Sequence, residues 1–353
     1  MHTLICGSMA YDTIMVFPDQ FKKHILPEQI HILNVAFLVP EMRREFGGCA
    51  GNIAYNLQLL GGNPLIMATV GDDFDSYATR LKKLGLSQQH ISPVPDSFTG
   101  QAFITTDLDD NQITAFHPGA MNFSERNHVG DAKNISLGIV SPDGREGMLQ
   151  HAREFHEAGI PWVFDPGQGM PMFGGDELLR FVEQADYVTV NDYEAQLLQD
   201  KTGRKIEELA KAKRAFIVTL GAQGSIIYSS GKEIAIPCAK PTALLDPTGC
   251  GDAYRAGLLH GIQQGWDWET TGRLEPLPEL ASISIGVTLS ITPSLMTATL
   301  SALSPLPMPT CRSLAHPASN SATMSKALRM IYSGTEKPKC CWNCAFISSR
   351  DGA

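Results

Sequence analysis

The sequence is short of positive charge, of cysteine and of long apolar runs, and each shortage removes a class of function. Lysine and arginine number 28 against 37 aspartates and glutamates, for a net charge of −9. Phosphate backbones attract basic surfaces, so no nucleic-acid partner is expected. Eight cysteines in 353 residues are too few for the disulfide framework of a secreted scaffold, and reduced thiols are expected. None of the ten histidines stands in an HExxH pair, so there is no zinc hydrolase motif, and no GxxxxGK[ST] loop occurs either. The start, MHTLICGSMAYD, has neither a basic region nor a long apolar stretch, which leads us to expect a cytoplasmic protein. Residues 280–311 carry no charge, but their hydroxyls and Pro293, Pro305, Pro307 and Pro309 argue against a membrane span.

What is present suits a large α/β domain. Hydrophobic residues make up 43% of the chain, with 32 glycines and 22 prolines, enough for a core with sharp turns. TLIC (3–6), PLIMATV (64–70), SLGIVS (136–141), PWVFD (161–165), YVTV (187–190) and AFIVTL (215–220) read as strands. Between them GNIAYNLQLLGG, DSYATRLKKLG, REGMLQHAREFHEAG, DELLRFVEQA and EAQLLQDKTG have helical spacing and glycine stops. Such alternation predicts a doubly wound parallel sheet flanked by helices, with its ligands beyond the carboxyl ends of the strands. Two segments break the order: DTIMVF (12–17) with HILNVAFLV (31–39), and QAFITT (101–106) with QITAF (112–116). These predict a small antiparallel β flap within residues 12–47 and 98–119.

Residues 276–353 hold three acids and six bases, whereas the first 275 hold 34 acids and 22 bases. With the loss of helical periodicity, this predicts a boundary after residue 272 and a poorly ordered Ser/Thr/Pro-rich tail over 273–353. A shifted reading frame or gene fusion near residue 274 would produce such a change. Cys340, Cys341 and Cys344 lack a fourth ligand at CxxC spacing, and chance explains them better than a metal site.

The most informative stretch is LLDPTGCGDAYRAGLLHGIQQG (244–265). Gly249 and Gly251, with Cys250 between them, let backbone amides converge at a helix N-terminus, where an anion is favoured. A phosphoryl group in transfer is such an anion, and Asp252 beside it is placed to accept a proton from an attacking hydroxyl. Taken alone, Asp252 reads equally well as a plain N-terminal helix carboxylate. A second stretch, FGGCAGNIAYNLQLLGGNPLIMATVGDD (46–73), places Gly47, Gly48 and Gly51 ahead of a helix, with Asn52 as donor and acceptor for a hydroxyl-rich ligand.

Together the two motifs carry a family resemblance. Gly47-Gly48-x-Ala50-x-Asn52-x-Ala54 with Gly61 and Gly71 resembles the first signature of the ribokinase-like (PfkB) carbohydrate kinases. DPTGCGD with Ala256-Gly257 resembles the second, with Cys250 where alanine is usual. The resemblance covers about residues 1–272 and implies ATP and Mg²⁺ as cofactors and a small nucleoside or sugar as substrate. It implies Asp252 as general base, and the amides at Gly249, Cys250 and Gly251 as anion hole. Gly7, Ser8, Asp12, Gly48 and Asn52 would form the sugar-hydroxyl site. Asn191 and Glu194 in VNDYE would organise Mg²⁺ and phosphates through water, and Thr219, Gly221 and Gly224 in TLGAQG would line the nucleotide. The opening before the first motif looks most like bacterial adenosine kinases, which would put Phe103 of the flap on the adenine and Gln168 on the nucleoside side. Phe103 as a flap core residue, a ribokinase- or fructokinase-type sugar kinase, and a non-catalytic nucleoside-binding remnant all stay open. The exposed edge of an inserted flap implies a homodimer, in which two flaps cover one another.

Overall fold

The computed structural model describes residues 1–25, 34–109, 111–238 and 249–273. Residues 274–353 of the tail, with the whole of the run 280–311, and residues 246–248 of the second glycine motif lie outside the described residues.

The strands are β1 (His2–Cys6), β2 (Ala10–Val16), β3 (Glu41–Gly47), β4 (Pro64–Val70), β5 (His90–Pro93), β6 (Gly100–Thr106) and β7 (Gln112–His117) in the first part of the chain. After them come β8 (Ile135–Val140), β9 (Trp162–Phe164), β10 (Tyr187–Asn191), β11 (Ala215–Thr219), β12 (Ser225–Ser229) and β13 (Lys232–Ile236). The helices are α1 (Cys49–Leu59), α2 (Asp75–Leu84), α3 (Arg145–Glu157), α4 (Gly175–Gln184), α5 (Asp192–Thr202), α6 (Ile206–Leu209), α7 (Cys250–Gln264) and α8 (Trp268–Arg273). Nine strands form one sheet in the order β13-β12-β11-β10-β9-β8-β1-β4-β5. From β11 to β5 every pairing is parallel, and β12 and β13 extend that edge antiparallel.

Both faces of this sheet are covered, which is why its strands read as unbroken apolar runs. Side chains alternate across a strand, so Leu4 and Cys6 enter one core with Phe155, Phe181 and Leu198 of α3, α4 and α5. Ile5 enters the other, with Ile53, Leu81 and Leu258 of α1, α2 and α7. The doubly wound sheet expected from the sequence is what the chain forms.

The flap is a separate four-stranded sheet, β3-β2-β6-β7. Its composition corrects one expectation. The partner of β2 is Glu41–Gly47, and residues 34–39, the described part of the run 31–39, form no strand. EMRREFG gives no apolar alternation because β3 is a largely exposed edge strand, whose register is set by backbone pairing. The apolar run has another use: Phe37 packs against Phe17 and Phe21 at 4.8 and 4.9 Å between ring centroids. The flap is also mixed, since β2 pairs with β6 in parallel.

Candidate active site

The carboxyl ends of β1, β8, β9, β10 and β11 deliver Ser8, Ser141, Asp165, Asn191 and Thr219 toward one edge of the sheet, and two glycine turns close upon it. At the first turn Gly48 has φ of +92°, a conformation that favours glycine. A β-carbon there would stand 2.5 Å from the Ser8 carbonyl oxygen and 2.6 Å from the Ala10 nitrogen. The Ser8 hydroxyl oxygen accepts from the Cys49 amide at 3.2 Å, and its carbonyl accepts from Ala50 at 3.0 Å. Ser8 therefore fastens the start of α1 to the end of β1. Gly47 lies against Asp12, whose carboxylate oxygen would be 2.3 Å from an added β-carbon.

At the second turn Gly249 caps α7 in a left-handed conformation, φ +80°. It leads through the exposed Cys250 to Asp252 in the helix's first turn. The two motifs, 200 residues apart, meet directly: Asn52 Nδ2 donates to Asp252 Oδ2 at 2.8 Å. A hydrogen bond to an ionised group contributes about 1.5–3 kcal/mol. Asp252 is pushed up to about 6, chiefly by burial, with the Asn52 hydrogen bond and the Arg255 guanidinium opposing the rise. Asp12 is likewise pushed up to about 6 by burial and by Glu45, its cross-strand neighbour on β3. Two carboxyls with raised pKa values lie near enough for Asp12 to act on Asp252, an arrangement typical of proton-transfer sites.

Beneath Asp252 lies a buried ion network. Arg255, 6% exposed, donates from Nε and Nη2 to Asp165 Oδ1 at 3.1 and 3.0 Å. Its Nη2 is 4.0 Å from Glu194 Oε2. Removing one partner of such a buried pair typically costs about 3–5 kcal/mol, because the other charge is left uncompensated. Neither Arg255 nor Asp165 was marked as a site residue by the sequence. The available signal was an arginine amid the apolar residues of AYRAGLL, one turn beyond Asp252.

The remaining sequence-derived residues divide. Asn191 and Glu194 form a reciprocal cap at the start of α5, with the Asn191 side-chain oxygen accepting from the Glu194 amide at 2.7 Å and Glu194 Oε2 from the Asn191 amide at 2.8 Å. Thr219 pairs with Asn191 in register, so both stand at the same sheet edge. Gly221 has open space where a side chain would be, whereas a β-carbon at Gly224 would meet the Ile236 carbonyl oxygen at 2.0 Å. Gly224 thus shapes the turn between β11 and β12. Gln168 is exposed in the turn after β9.

Phe103 does not share a flap face with Asp12. Its register partner on β2 is Thr13, whereas Asp12 pairs with Ala102. With a side-chain period of two, Phe103 falls on the flap face opposite Asp12. That is the face of Tyr11 and Arg44, the latter's guanidinium 3.7 Å above the Tyr11 ring. Phe103 is 43% exposed there, so it is not a core residue of the flap either. Ala102 and its partner Phe116 are the side chains beside Asp12 on its own face, on β6 and β7.

Among the described residues no cluster of three or more His, Cys, Asp or Glu side chains forms a metal cage. The donors present are nevertheless hard carboxylate oxygens, the chemistry Mg²⁺ prefers when it keeps most of its water and leans on substrate phosphates. Both Glu194 oxygens already accept from Asn191, which suits a hold through water better than direct ligation. No helix among the described residues is long and apolar enough to cross a membrane.

Comparison with known proteins gives the family and the fold. The sequence model of the pfkB family of carbohydrate kinases matches residues 9–293. A nucleoside kinase of Methanocaldococcus jannaschii is 33% identical over 242 residues, 68% of this chain and 79% of that protein. The nucleoside kinase of Burkholderia thailandensis solved in complex with inosine is 53% identical, with a TM-score of 0.73 over 80% of this chain and 90% of that one. The same enzyme has been solved in complex with ADP-inosine, at 54% identity and a TM-score of 0.71 over 80% and 89% of the two chains.

Proposed function

Since the chain belongs to the pfkB family of carbohydrate kinases, we propose that it transfers the γ-phosphoryl group of ATP to the 5′-hydroxyl of a purine nucleoside, adenosine among them. The observation that carries this reading is the Asn52–Asp252 hydrogen bond, which joins a hydroxyl-binding turn to an anion-binding turn. The kinship with nucleoside kinases supports a nucleoside over a free sugar. Residues 1–272 carry the proposed kinase unit.

In this reading Asp12, Gly48 and Asn52 hold the ribose hydroxyls, Ser8 fixes the turn on which they stand, and Gln168 lines the nucleoside side. Asp252 takes the proton from the 5′-hydroxyl as that oxygen attacks the γ-phosphorus. The amides of Gly249, Cys250 and Gly251 stabilise charge on the transferred oxygens, the type of positioning on which phosphoryl transfer depends. Thr219, Gly221 and Gly224 border the nucleotide. Mg²⁺, held through water by Glu194 with Asn191 beside it, would neutralise charge on the phosphate oxygens.

The substrate assignment is tested by comparing kcat/KM for adenosine, inosine, ribose and fructose with ATP as donor. Purine nucleosides should exceed both sugars by at least about a hundredfold, the discrimination expected when a site built to contact a base is left empty. Equal or greater turnover of ribose or fructose would overturn it. Because the free enzyme needs Asp252 ionised, kcat/KM should fall as pH drops through about 6. An acid limb centred near the ordinary aspartate value would contradict the burial of this carboxyl.

At Cys250 the backbone amide serves the anion, so Cys250→Ala should retain activity. The exposed thiol at a helix N-terminus should nevertheless react with alkylating agents and so block the phosphate site, with protection by ATP. Full activity after confirmed modification would contradict this placement.

We also propose a homodimer formed through the flap. The edge strand β7 is exposed along its whole length, and a second flap would cover it. Light scattering at micromolar concentration should give twice the chain mass, and a monomeric mass with full activity would refute the dimer.

A further inference from the structure

One buried cation lies across the floor of the candidate site. The guanidinium of Arg255 reaches three separate elements: Asp165 after β9, Glu194 in the first turn of α5, and the Gly251 carbonyl, to which Nη1 donates at 3.4 Å. Asp165 is itself oriented by Ser141, whose hydroxyl donates to Oδ2 at 3.2 Å. Arg255, Asp165 and Glu194 are all buried, at 6%, 2% and 8% exposure. An arginine fork is planar and rigid, so contacts to several partners fix their relative placement in a way a lysine ammonium cannot.

Resting on the kinase reading above, we propose that Arg255 is a positioning residue for phosphoryl transfer: it ties the anion-hole turn at Gly251 to the Asp165 and Glu194 carboxylates, so that Asp252 and the nucleotide-side elements keep one geometry. Its contact to Gly251 lies within α7 itself and so does not hold that helix to the sheet. The bond to Gly251 acts within the first turn of α7, on the residue between Cys250 and Asp252. The approach to Glu194 links that turn to the residue pair assigned to the phosphates and Mg²⁺. Arg255 also contributes charge. Asp252 is surrounded by Asp165 and Asp12, with the Cys49 thiol and the Tyr77 phenol nearby on α1 and α2. Arg255 is the cation in this set that favours the ionised form of Asp252, alongside the Asn52 amide.

The test uses the full chain with Arg255→Gln, Arg255→Lys and Asp165→Asn, each checked for thermal stability. Arg255→Gln should lower kcat by about 10²-fold, the scale of an ångström-level misplacement of reacting groups. Nucleoside affinity measured by calorimetry should stay near wild type, and the acid limb of kcat/KM should move to higher pH. Arg255→Lys should return the acid limb toward its wild-type position, because the charge is restored. It should leave kcat low, because an ammonium does not span Asp165 and the Gly251 carbonyl together. Asp165→Asn should lower kcat while leaving Arg255 close to Glu194 and Asp252.

Parallel losses of kcat, nucleoside affinity and stability with an unmoved acid limb would reduce Arg255 to a structural ion pair and overturn the proposal. So would full recovery of kcat by lysine, which decides the matter even if the glutamine variant does not fold. A wild-type chain that transfers no phosphoryl group to any nucleoside would instead sink the kinase reading. An active wild type with normal Arg255 variants would sink only the positioning role.

Discussion

Replacing Asp252 with asparagine is expected to lower kcat by about 10²–10⁴-fold, the range contributed by a general base. The change is nearly isosteric, and the Asn52 side chain at 2.8 Å can still donate to the new amide oxygen, so the two turns stay joined. Nucleoside affinity should therefore change little, because the hydroxyl contacts of Asp12 and Gly48 are untouched. A fall in kcat with constant affinity marks an interaction made in the transition state only. Near-normal turnover in this variant would remove Asp252 from the mechanism, and an equal loss in affinity would make it a binding group.

The second large effect is expected at Gly48. Alanine there must adopt φ near +92°, which costs about 1–3 kcal/mol in backbone strain. Its β-carbon would also lie 2.5 Å from the Ser8 carbonyl oxygen and 2.7 Å from the Met9 α-carbon. These are backbone atoms that cannot rotate away, so β1 and α1 must separate. Asp12 and Asn52 stand on either side of this junction, and nucleoside affinity should fall by at least about tenfold, equivalent to 1.4 kcal/mol. Calorimetric binding and a melting curve check both parts. Wild-type affinity in a fully folded Gly48→Ala protein would show that the turn does not shape the sugar site.

Much of the fold was legible because its strands are buried on both faces and its helices end at glycines. Residues 64–70 read as a strand and form β4, and the helix of the second motif stops at Gly265 as its sequence indicates. Legibility failed where a segment is not buried. The edge strand β3 consists mainly of charged, exposed residues and is defined by its pairing with β2, whereas the neighbouring apolar residues pack as an aromatic cluster.

The site shows the same division. Asn52 and Asp252 were legible because each sits in a glycine motif with its own chemical logic, although only the folded chain shows that they touch. The face that Phe103 occupies is not legible in the sequence, because a shift of one residue along a strand reverses it. Ala102 rather than Phe103 is paired with Asp12. Arg255 escaped notice because its meaning lies in partners 61 and 90 residues away along the chain, at Glu194 and Asp165. Asn191 and Glu194 lie at and just beyond the end of a strand, as their sequence indicates, but their bonds to one another as a helix cap follow from the local NDYE spacing as readily as any role toward phosphate.

The central claim is that these two joined glycine turns form a phosphoryl-transfer site for a nucleoside. Phosphorus-31 NMR of the purified full chain with ATP, Mg²⁺ and adenosine tests it most directly, with Asp252→Asn as control. ADP and adenosine 5′-monophosphate should appear in equal amounts with the wild type, and neither above background with the variant. Phosphate transferred to water alone, phosphorylation at another hydroxyl, or equal product from both proteins would contradict it.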